Sequence, residues 1–121
     1  MQFDFSSTTP LFRQVAHELS ESIAAGRIGE GDQVPSTTEI SVAYNINPAT
    51  VLKGMNLLVS QGFIEKRRGL GMFVTTGAQE RARKAQRDDL MEHQLGQLVA
   101  QAKALGISSS QLKAAIEREY Q

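Results

Sequence analysis

A mainly α-helical chain with one small β-hairpin is what this sequence predicts, and three observations carry the expectation. Apolar residues recur at helical spacing through "PLFRQVAHELSESIAAG". "STTEI" and "NPATVLKGM", a few residues apart, each open with the start signals of a short helix. Two strand-like runs flank a glycine-bearing tip in "FIEKRRGLGMFVT". Two short helices joined by a tight turn and followed by a hairpin make a winged helix-turn-helix. We expect it over residues 1–77, with a two-helix C-terminal dimerisation segment over 78–121.

In the first helix, Phe12, Val15, Ala16, Leu19 and Ile23 form the inward stripe. Thr9 is the expected cap, Pro10 suits the first helical position and Gly26 offers the stop. Ile28 and Val34 then anchor the turn-rich "RIGEGDQVP" to the core. "STTE", residues 36–39, has the form of a capping box, with the Ser36 hydroxyl taking a free backbone N–H and Glu39 reaching back. Ile40 and Ala43 supply the inward side of that helix, which ends near Tyr44 and Asn45.

The next helix starts sharply at Asn47 and Pro48. Asparagine is a favoured N-cap, and proline at the following position gives up only an N–H that would have been unpaired. Ile46 can staple onto Val51. On a helical wheel Val51, Leu52, Gly54, Met55, Leu58 and Val59 share one side, and Ala49, Thr50, Lys53, Asn56 and Ser60 the other. Leu57 fits neither. After Gly62, the runs Phe63–Ile64 and Met72–Val74 read as strands around a tip of Arg67, Arg68, Gly69, Leu70 and Gly71.

From Gln79 onward the chain is rich in helix formers and free of proline. Met91, Leu95, Leu98, Ala102 and Leu105 follow the 4, 3, 4, 3 rhythm of a helix that packs on another helix along a narrow seam. Gly106 ends it, and a serine-capped helix with Leu112 and Ile116 inward follows. Two helices bury both apolar faces poorly, so the seam is expected to close on a second copy, giving a homodimer.

With 121 residues and no cysteine, the chain has room for one small domain plus an appendage, and no disulfide, thiolate zinc site or cysteine nucleophile is open to it. No apolar run is long enough for a membrane span and the N-terminus lacks a signal-peptide pattern, so no membrane partner and a cytoplasmic location are expected. His17 and His93 are isolated, which argues against a metal site. Serine, histidine and aspartate are not gathered, and "GRIGEG" matches no phosphate-binding spacing, so neither a catalytic site nor a cofactor is expected.

Net charge is zero, but it is segregated. Up to Tyr44, Arg13 and Arg27 face six carboxylates, whereas from Asn45 to Thr75 Lys53, Lys66, Arg67 and Arg68 face Glu65 alone. The basic stretch coincides with the second short helix and the hairpin, which suits a nucleic-acid partner. Such a helix presents its N-terminal end to the major groove of double-stranded DNA. Asn47, Ala49, Thr50 and Lys53 occupy that end, where the Thr50 methyl and Ala49 suit a thymine methyl and Lys53 reaches a guanine or a phosphate. Asn47 and Thr50 can equally serve as plain caps. Ser36, Thr37 and Thr38 open the preceding helix, whose N-terminus approaches phosphates in this motif. Lys66, Arg67 and Arg68 suit insertion into a minor groove, or form a solvated turn. Arg81, Arg83, Lys84 and Arg87 read as a solvated helix face.

Residues 10–74, from "PLFRQVAHEL" to "RRGLGMFV", resemble the DNA-binding domain of GntR-family bacterial transcription regulators. "INPATVLK" with a short two-helix tail is similar to the YtrA-like subfamily. The resemblance implies a dimeric winged-helix repressor on a pseudo-palindromic operator, with DNA contacts at Ser36, Thr38, Asn47, Pro48, Thr50, Lys53, Gly69 and Gly71. Thr38 and Pro48 stand where relatives commonly carry arginine, so two charge-assisted contacts are missing. Larger subfamilies add an effector domain, and the roughly 43 residues after Ala78 cannot enclose a comparable cavity. Whether a small-molecule effector binds is left open by the sequence. A winged helix that binds protein or RNA is the alternative reading.

Overall fold

The computed structural model describes residues 1–121 and orders the chain as α1 (Leu11–Ala24), α2 (Thr37–Tyr44), α3 (Pro48–Ser60), β1 (Ile64–Arg67), β2 (Gly71–Val74), α4 (Ala78–Asp88), a π-helical stretch (Asp89–Gln94), α5 (Leu95–Ala104) and α6 (Ser109–Glu119). Its contacts divide it into two compact units, Met1–Ala85 and Gln86–Gln121.

In the first unit α1 lies against α3. Val15, Leu19 and Ile23 of α1, Ile40 of α2, Val51, Met55 and Leu58 of α3, and Ile64 and Val74 of the hairpin are almost completely buried together. Ala78 and Ala82 join this core, so the opening turns of α4 belong to it. The two helices approach closely at Gly54, where an added Cβ would lie 2.7 Å from the Phe12 carbonyl oxygen and 3.0 Å from Val15. Only a residue without a side chain lets α1 and α3 sit this close. Ile28 and Val34 pack on the core as expected.

Several local expectations need correction. The cap of α1 is Pro10 and not Thr9, and no side chain caps it. The Thr9 carbonyl instead accepts from Gln14 Nε2, while Gln14 Oε1 accepts from the Asp4 N–H, tying the N-terminal segment to α1. Ala43 is exposed, because α2 is so short that Ile40 is its only buried residue. Leu52 and Val59 are 45% and 38% exposed, while Leu57 packs against the core. The buried stripe of α3 is therefore Val51, Gly54, Met55 and Leu58, narrower than the wheel suggests.

β1 and β2 pair antiparallel, with Ile64 opposite Val74 and Arg67 opposite Gly71. Arg67 and Gly71 are thus strand residues, and the tip shrinks to Arg68, Gly69 and Leu70. The other edge of β2 is also occupied: Val34 N–H donates to the Met72 carbonyl at 2.9 Å, and Val74 N–H to the Asp32 carbonyl at 2.9 Å. The hairpin is therefore anchored on both sides. Arg81 braces its base by donating to the carbonyls of Gly62 and Thr76 and to Thr75 Oγ1. That contact gives one member of the second basic run a structural task.

The second unit departs from an unbroken α-helix at the π-helical stretch, where Leu95 N–H donates to the Leu90 carbonyl five residues back. Gln94 Nε2 donates to Asp89 Oδ2 at 2.9 Å across the same turn. A π-turn is wider than an α-turn, so Leu90 comes into line with Leu95, and Leu90, Met91, Gln94, Leu95 and Leu98 line one open groove. Met91, Leu95, Leu98 and Leu105 are exposed, whereas Ala102 is buried. Leu112 is half-buried and Ile116 is 39% exposed, so the α6 face expected to point inward is only partly covered. Ser108 and Gln111 form a reciprocal capping box that starts α6. No helix is long and apolar enough to cross a membrane.

Candidate nucleic-acid interface

Ser36 and Glu39 cap α2 reciprocally, with Glu39 N–H donating to Ser36 Oγ at 3.0 Å and Ser36 N–H donating to Glu39 Oε1 at 3.5 Å. The carboxylate sits in the first turn, where it offsets the positive end of the helix dipole. The three residues between α2 and α3 turn tightly. Asn45 takes a left-handed conformation, φ 54°, which asparagine tolerates better than other side chains. Ile46 N–H donates back to the Ser41 carbonyl, and Ser41 Oγ donates to the Ile46 carbonyl at 2.6 Å. Ile46 is buried, which fixes where the next helix begins.

Asn47 Oδ1 accepts from Ala49 N–H at 2.8 Å, so the capping role of this residue is realised. Its amide nitrogen stays available. Pro48 takes the first helical position, and no acidic residue occupies the first turn of α3, in contrast to α2. Asn47 already accepts from the N–H groups of Ala49 and Thr50, so what this end of α3 offers an anion is the positive end of a helix dipole with no acidic residue in the first turn to offset it. At this end Asn47, Pro48, Ala49 and Lys53 are exposed and Thr50 is half-buried. Ser36 and Thr38 are exposed and Thr37 is half-buried at the start of α2. Lys53, the single charge on α3, lays its ammonium 4.2 Å from the centroid of the Phe12 ring.

At the hairpin the three basic residues differ. Arg67 folds back, its guanidinium carbon 4.3 Å above the Phe73 ring and its Nη2 3.2 Å from Glu65. Lys66 and Arg68 are exposed and form no salt bridge. Gln33 Nε2 donates to the Leu70 carbonyl at 2.8 Å and props the tip from outside. Gly71, at φ 120°, lies against this amide, where a Cβ would collide with it. No group of histidine, cysteine, aspartate or glutamate is arranged to hold a metal ion.

A helix-turn-helix with an open, polar second helix and a propped basic hairpin is thus in place, and residues 11–74 match the family described as "Bacterial regulatory proteins, gntR family". The chain belongs to the GntR family. It is 30% identical over 112 residues to the HTH-type transcriptional repressor YtrA of Bacillus subtilis (strain 168), covering 93% of this chain and 85% of that protein. Among solved structures, a transcriptional regulator from Oenococcus oeni superposes with a TM-score of 0.79 at 22% identity, covering 100% of this chain and 99% of that one. The AraR DNA-binding domain in complex with operator ORE1 superposes with a TM-score of 0.55 at 30% identity, covering 62% of this chain and 94% of that one.

Every candidate DNA contact of this GntR-family chain lies inside the matched segment: Ser36, Thr37 and Thr38, the α3 group from Asn47 to Lys53, and the hairpin group from Lys66 to Gly71. The α2 group opens α2 and the α3 group opens α3, and the three-residue turn 45–47 joins the two helices. Gln33 and Phe12 carry no signature that marks them beforehand. Gln33 meets Leu70 across 37 residues, and Phe12 reads simply as one more apolar position on α1.

Proposed function

We propose that this chain is a homodimeric transcription repressor that occupies an inverted-repeat operator, with residues 1–77 binding the duplex and 78–121 joining two copies. The observation that carries the reading is the N-terminal end of α3, where Asn47 makes the cap and Ala49, Thr50 and Lys53 are left to face a groove. Thr37 and Thr38 at the start of α2 are placed to meet flanking phosphates, with Lys66, Arg68, Gly69 and Gly71 at an adjacent minor groove. Arg67, held by Glu65 and Phe73, serves chiefly to stiffen the hairpin. Kinship with a curated repressor, and with a DNA-binding domain solved on its operator, supports this reading.

Lys53→Ala is expected to weaken operator binding by about 1–3 kcal/mol. Gel-shift titrations across several salt concentrations check this and sort the contact. A slope of log affinity against log salt that falls by about one marks a phosphate contact. A slope that holds, with lost base preference, marks a base contact. Unchanged affinity removes Lys53 from the interface.

A further inference from the structure

We infer that Phe12 of α1 is a positioning residue for the interface, its ring holding the Lys53 ammonium where α3 meets DNA. This rests on the DNA-binding reading above. Three observations converge on it. The ammonium of Lys53 lies 4.2 Å from the ring centroid, well within cation–π range. The guanidinium carbon of Arg13 lies 5.3 Å from the same centroid. The neighbouring Gly54 lets the Phe12 backbone approach α3 so closely that no side chain fits between.

Neither cation has a carboxylate within ion-pair distance, although the first forty-four residues carry six carboxylates. Two like charges drawn to one half-buried ring repel each other, and no carboxylate forms a salt bridge with either to offset this. An incoming anion would. A phosphate drawn to the pair supplies the missing counter-charge while the ammonium keeps its contact with the ring face and turns its N–H groups outward. Lysine otherwise gives up much rotamer freedom on binding, so a preset position strengthens the complex without adding a contact.

Phe12→Leu retains an apolar side chain at a half-buried site and removes the π face. We expect it to lower affinity for the selected operator about two- to fivefold, and to lower it less than twofold when Lys53→Ala is already present. In the free protein, the Lys53 side-chain methylene protons should show upfield ring-current shifts by NMR that vanish in Phe12→Leu. Equal losses in both backgrounds, a gain in affinity, or ordinary Lys53 shifts in the unsubstituted protein would each overturn the assignment. The NMR readout needs no DNA. Ring-current shifts together with failure of the unsubstituted protein to prefer any duplex would instead overturn the DNA-binding reading, and the positioning role with it.

Discussion

Gly54→Ala is expected to destabilise the protein by about 1–3 kcal/mol, the cost of overpacking a tight contact, although helix propensity alone predicts a gain of about 1 kcal/mol. The sign is decided by space. The new methyl would sit 2.7 Å from the Phe12 carbonyl oxygen, a backbone atom that moves only if α1 moves. Thermal unfolding checks it, since a loss of this size lowers the midpoint by roughly 4–8 °C per kcal/mol in a domain this small. Pushing α1 away also separates Phe12 from Lys53, so operator affinity falls along with stability. A raised midpoint would show that the two helices are less closely packed than described.

Leu95→Glu combined with Leu98→Glu is expected to turn the proposed homodimer into a monomer. Both residues are partly exposed and line the groove with Leu90 and Met91, so the substitutions are expected to be tolerated by the fold of the single chain. In a dimer they would bury charges in an apolar seam, which association cannot repay. Sedimentation should report a species near 13.2 kDa in place of twice that mass. Operator affinity should drop by about 10²–10⁴, because each half-site is then held without the effective concentration that a linked partner supplies. A variant that stays dimeric would move the interface elsewhere.

What could be read from the sequence divides along the range of the interaction involved. The Ser36–Glu39 capping box, the Asn47–Pro48 helix start and the hairpin pairing all rest on residues near one another in the chain, and each is found in the structure. Most features that escaped arise from packing across distance, and one is a local change of helix type. Leu52 and Val59 sit on the apolar side of a helical wheel, yet α1 covers only the narrower stripe through Gly54. Gln33 supports the hairpin tip from the far edge of β2. The π-turn at Asp89–Gln94 shifts the apolar line enough to bring in Leu90, which a strict heptad rhythm starting at Met91 leaves out.

The candidate site follows the same division. That Asn47, Ala49, Thr50 and Lys53 share one exposed end of α3 was legible from periodicity. That Arg67 is bound back to Glu65, two residues earlier on the same strand, and lies over Phe73 across the hairpin, and so differs from Lys66 and Arg68, depends on the strand pairing that brings Phe73 beside it. Ser36 also proves less available than its position implies, since its hydroxyl already serves the Glu39 N–H.

Selection of bound duplexes from a random pool tests the central claim most directly. An enriched inverted repeat is expected, its half-sites on one face of the duplex with centres about one helical turn, or a whole multiple of it, apart. Recovery of unrelated sequences with no symmetric element, at affinities no better than for scrambled DNA, would contradict it.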